Sequence, residues 1–123
     1  MSITRGIDWT ASIGTSTEEW FSWKDLGLDL WLSETLETMG CFGKKNIKHI
    51  NGVFYAIIDH YSAELLIQAI HNQNWNISEQ FSDEIATVPR NIETLDRMAQ
   101  WMKECLSETD REKKSFVYWS LLD

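Results

Sequence analysis

Apolar residues that recur at intervals of three and four constrain this chain more than any other feature. Leu28, Trp31, Leu32, Leu36 and Met39 mark one face, with Asp29, Ser33, Glu34 and Glu37 turned away, and this spacing predicts a helix over 28–39. Gly40 follows the last periodic residue, where a left-handed C-terminal cap is expected. Ala63, Leu66, Ile67 and Ile70 predict a second helix over 62–72, capped by Ser62. Leu95, Met98, Met102, Cys105 and Leu106 predict a third over 92–106, capped by Asn91. Ser107-Glu108-Thr109-Asp110 supplies a cap and an acidic first turn for a fourth helix over 108–121, ending in Phe116, Val117, Tyr118, Trp119, Leu121 and Leu122. Thr17 with Glu18 and Glu19, and Ser78 further on, can each open a short additional helix.

Strand signals are fewer. Ile3, Ile7, Trp9, Ala11 and Ile13 alternate with Ser2, Thr4, Asp8, Thr10 and Ser12, the period of a half-buried strand interrupted only by Arg5. Between Asn46 and Ile58, Asn51-Gly52 stands between two β-branched runs and predicts a hairpin with a type I′ turn. The expected fold is therefore an α+β domain, mainly helical, with four to five helices and a short antiparallel hairpin or small sheet. With 123 residues and one Pro, the chain is expected to form one globular domain over 1–123. Leu32, Leu36, Leu66, Ile67, Ile70, Leu95, Met98 and Met102 are its expected core.

The N-terminus has no apolar stretch behind a basic start, and no run approaches the roughly 20 apolar residues of a membrane span. Cys41 and Cys105 are far apart and are expected as free thiols in a cytoplasmic setting. The net charge is −8, unevenly spread. Residues 1–40 hold seven acids and two bases, and residues 61–89 hold four acids and no base. Between them Lys44, Lys45 and Lys48 form a basic island. Such a field opposes phosphate backbones and anionic lipid, and it speeds encounters with basic proteins.

The motifs that could carry chemistry are thin. Gly40-Cys41-Phe42-Gly43, followed by Lys44, Lys45, Lys48 and Ile50, resembles the G-x-x-G loop of the K-homology RNA-binding module, which implies a basic loop leading into a helix. It departs from that pattern because Cys41 and Phe42 fill the loop and the isoleucine arrives one residue late. Its local alternative is a helix cap followed by a solvated basic turn. Gly43-Lys44 lacks the earlier glycine and the following Ser or Thr of a phosphate-binding loop. Cys41 with Asp59-His60 can be written as nucleophile, base and orienter, although neighbouring Asp and His side chains diverge on a strand. His60, Glu64 and His71 offer metal-ligand types, but eleven residues of helix separate the histidines by about 16 Å. The acidic pairs Glu18/Glu19 and Asp83/Glu84 read as dipole-favoured surface charge. No metal, cofactor or catalytic residue is expected.

Trp20, Phe21 and Trp23 carry the strongest functional signal. Three large aromatics in four residues cannot all face one core, and acids border them. The expected partner-binding face holds Glu18, Glu19, Trp20, Trp23 and Asp25, joined by Glu79, Asp83 and Glu84. Aromatic anchors with an acidic rim suit a basic protein partner and neither nucleic acid nor membrane. By class, this describes small bacterial immunity proteins and antitoxins that neutralise a basic, nuclease-type toxin by direct binding. A phage-type inhibitor or nucleic-acid mimic, whose acids imitate phosphates, is one alternative. A small enzyme with an unrecognised site is the other.

Overall fold

A computed structural model of the chain describes residues 3–14, 19–24, 26–75, 89 and 91–122. Five strands, β1 (Ile3–Thr10), β2 (Glu19–Trp23), β3 (Ile47–Ile50), β4 (Val53–Ile58) and β5 (Ser115–Leu122), form one sheet in the order β2-β1-β5-β4-β3. Every neighbouring pair is antiparallel. The helices are α1 (Leu26–Thr38), α2 (His60–His71) and α3 (Ile92–Leu106), and a short 3-10 turn at Arg111–Lys113 leads into β5.

The mainly helical expectation is overturned: the described residues form three helices and a five-stranded antiparallel sheet. Two elements carry the difference. The segment expected as a helix over 108–121 ends in β5, the central strand, flanked by β1 and β4. The stretch expected as a short helix from Glu18 contains β2 at the sheet edge. Both are rich in aromatic residues, which suit a pleated surface and lose side-chain freedom in a helix.

The short helix expected from Ser78 lies outside the described residues, and the other three expected helices begin and end close to their predicted bounds. Asn91 caps α3, its side chain accepting from the Thr94 amide at 3.0 Å. Asp59 caps α2 in place of Ser62, accepting from the Ser62 amide at 2.7 Å. At the β3–β4 turn, Asn51 and Gly52 take φ of 50° and 80°, the left-handed pair that a type I′ hairpin requires.

Strand register sorts the sheet into two faces. Ile7, Trp9, Ala56, Ile58, Phe116 and Tyr118 lie on one side and join Leu28, Trp31, Leu32, Leu36, Leu66, Ile70, Leu95, Met98 and Met102 in a single core under the helices. Ile67, expected inside, is only half-buried. Arg5, which breaks the N-terminal alternation, shares the helix-covered side with Ile7 and Trp9 and forms an ion pair with Asp29 of α1. A cation there is tolerated because the carboxylate that neutralises it is buried beside it.

Candidate binding surface on the open sheet face

The other side of the sheet carries residues that none of the core includes. Register places Trp20 beside Asp8, Gly6 beside Trp119, Trp119 beside Tyr55, and Leu121 beside Val53. These positions form an apolar and aromatic band from the β2 edge into the middle of the sheet. Trp20 is 57% exposed and Leu121 36%, whereas Val53, Tyr55, Ile57 and Trp119 are half-buried. The Trp119 indole donates to Asp8 Oδ1 at 2.9 Å, so the one carboxylate within the band is held by an aromatic side chain. Burial raises the Asp8 carboxyl above its usual range, and the Trp119 bond opposes that shift. After β1 the chain reaches toward the same face, where Gly14 meets the Ile50 side chain.

The helix-covered side of β2 is organised differently. Trp23 is only 6% exposed, and its indole donates to Asp29 Oδ1 at 3.3 Å. It therefore belongs to the core, which corrects its expected place among surface anchors. Phe21 lies 6.1 Å, ring to ring, from Trp101 of α3. Glu19 accepts from the Cys105 thiol, with Sγ 3.4 Å from Oε2. Alternation along one strand thus splits the three aromatics, with Trp20 alone on the open face. Glu18, Asp25, Glu79, Asp83 and Glu84 lie outside the described residues.

At the same end of the sheet Glu108 collects polar contacts. Trp9 Nε1 donates to Glu108 Oε2 at 2.9 Å, and Lys114 Nζ does so at 3.1 Å. The Trp9 bond, with the Lys114 ammonium, holds the Glu108 carboxyl below its ordinary value, and Glu19 lies within hydrogen-bonding reach. Lys114 is correspondingly raised by Glu108. His60 Nε2 donates to the Lys114 carbonyl at 2.7 Å. These contacts tie β1, α2, the end of α3 and the start of β5 together.

Cys41 and Asp59 line one small cavity with Ser62, but the His60 ring bonds the Lys114 carbonyl instead, so the nucleophile, base and orienter arrangement weighed from sequence is not completed. Asp59 caps α2, the His60 ring is committed to Lys114, and burial pushes the Cys41 thiol up to about 11. A thiol so rarely ionised is a poor nucleophile. The Gly40–Gly43 turn leads into β3 and not into a helix, which removes the K-homology reading. Among the described residues no group of His, Cys, Asp and Glu could hold a metal ion. A concavity of about 740 Å³ between α2 and α3 is lined by Ile67, Gln68, His71 and Lys103 among others; its Glu64 is engaged by Arg111 at 3.5 Å. No helix among the described residues is long and apolar enough to cross a membrane.

Sequence reasoning missed Asp8, Tyr55, Trp119 and Leu121 as members of the surface. Asp8 was within reach, since the β1 alternation already set it opposite in facing to Ile7 and Trp9. Trp119 and Leu121 were hidden by the helical reading of β5. No family model, curated protein or solved structure matches the chain.

Proposed function

We propose that this chain is a non-enzymatic protein-binding domain that holds a basic protein against its open sheet face and acidic β2 edge. The class it fits best is that of immunity proteins and antitoxin-type inhibitors, which neutralise a basic, nuclease-type toxin in the cytoplasm by direct binding. The observation that carries the reading is Trp20, 57% exposed at the end of a band that includes Trp119, Tyr55 and Leu121. A large aromatic left in solvent beside further apolar side chains is characteristic of an interaction surface. The net charge of −8 favours a basic partner, through faster encounter and rejection of acidic competitors.

The test is comparative capture from the native host with the wild-type chain, Trp20→Ser and the double variant Glu18→Gln/Glu19→Gln, followed by binding kinetics with the purified partner. A basic protein held by the wild type should dissociate faster from Trp20→Ser, with a loss of about 2–4 kcal/mol if Trp20 is an anchor. The Glu variant should mainly slow association and flatten its salt dependence. A captured partner that is acidic, or is bound equally by all three proteins at every salt concentration, overturns the reading.

A further inference from the structure

We propose that β2 is a docking edge that takes an extended basic segment as a sixth strand. The proposal rests on the protein-binding reading and specifies how the partner attaches. A sheet edge turns alternate backbone N–H and C=O groups outward and invites another strand unless something guards it. The two edges here are guarded unequally. β3 is four residues long, presents the exposed Lys48 and His49, and follows a turn carrying Lys44 and Lys45. Short length and lysines are the usual protection of an edge strand. β2, Glu-Trp-Phe-Ser-Trp, contains neither lysine nor proline. Among the described residues no strand lies beyond it.

The two faces of β2 define what an added strand must carry. Its side chains on the helix side would meet Phe21 and Trp101 in the middle, and at one end the carboxyls of Glu19 and Glu108 with the Lys114 ammonium. Those on the open side would meet Trp20 and Ser22, where a cation or an apolar group can lie against the indole. The matching segment is extended, free of proline, and alternates basic with apolar residues. Main-chain pairing would supply affinity, and the carboxyls with Trp20 would supply selectivity.

The probe is a capped ten-residue peptide of alternating Lys and Val, titrated into the isotope-labelled full chain and followed by amide NMR. Two controls accompany it: the peptide with Glu for Lys, and one of unchanged charge with two central valines replaced by proline. Strand addition predicts shifts and slowed hydrogen exchange at alternate amides within Glu19–Trp23. It also predicts loss of both with either control, and at least tenfold weaker binding to Trp20→Ser. Shifts centred on β3 or the helices, equal binding of the proline peptide, or no binding at about 1 mM peptide would each overturn it. A natural partner that needs Trp20 while the β2 amides exchange as before would remove strand addition and leave the protein-binding reading in place.

Discussion

The Trp119 indole on β5 fills the space over Gly6 on β1. A Cβ at Gly6 would come within 2.5 Å of Trp119 Cζ2 and 2.8 Å of the Phe21 carbonyl oxygen. Glycine is needed there for room, and the backbone oxygen cannot be moved aside as a flexible side chain can. Gly6→Ala is expected to cost about 1–3 kcal/mol, the usual range for overpacking. Urea unfolding should show a lower midpoint at unchanged slope; an unchanged midpoint would mean that the indole can leave without loss.

Asp29 serves two strands, pairing with Arg5 and accepting from the Trp23 indole. Removing it strands a partly buried guanidinium on the core side of the sheet. Asp29→Ala should therefore destabilise by about 2–3 kcal/mol, below the roughly 3–5 typical of a fully buried pair because Arg5 retains some solvent. Adding Arg5→Met should restore much of the loss in the same unfolding assay. A double variant as unstable as Asp29→Ala would locate the cost elsewhere.

Glu108 links stability to pH. The Trp9 bond and Lys114 hold its folded carboxyl below the ordinary glutamate value of 4.5. Its contribution is thus present above that value and lost as pH falls through the lower folded one. Asp8, raised by burial, works in the opposite sense and is common to both proteins in the comparison. The stability difference between wild type and Glu108→Gln should shrink as pH falls below about 4.5. A difference independent of pH across that range would count against the Trp9–Glu108–Lys114 contacts.

Neither thiol should react in the folded protein. Burial raises Cys41 to about 11, and burial with the Glu19 carboxyl raises Cys105 further. A disulfide reagent at pH 7 should modify the native chain slowly and find two thiols on unfolding, since both cysteines are free. Fast modification of either one in the native state would show that its surroundings open readily.

The core is testable at Leu36 and Leu66, both fully buried. Truncation of either to Ala should cost about 2–5 kcal/mol from lost transfer energy and the cavity left behind. Values near zero at both sites would mean that α1 and α2 present other faces to the sheet.

The sequence by itself determined the features whose causes are local. The three-and-four spacing that places Leu32, Leu36, Leu66, Leu95 and Met98 on buried faces, the Asn91 cap and the Asn51-Gly52 turn all rest on interactions within a few residues. The presence of one surface aromatic within Trp20–Trp23 was legible too, because no regular element can bury three such neighbours on one face. Tertiary structure alone decided which aromatic that was, and it decided the fold of the last eight described residues. β5 carries apolar side chains on both faces, so no polar alternation reveals its period, and an acidic cap just upstream imitates a helix start. Only pairing with β1 and β4 selects strand there, since a central strand satisfies its backbone on both sides while its two faces serve different ends. Phe116 and Tyr118 close the core under the helices, and Val117, Trp119 and Leu121 build the open face, a division made by register with strands more than fifty residues away in sequence.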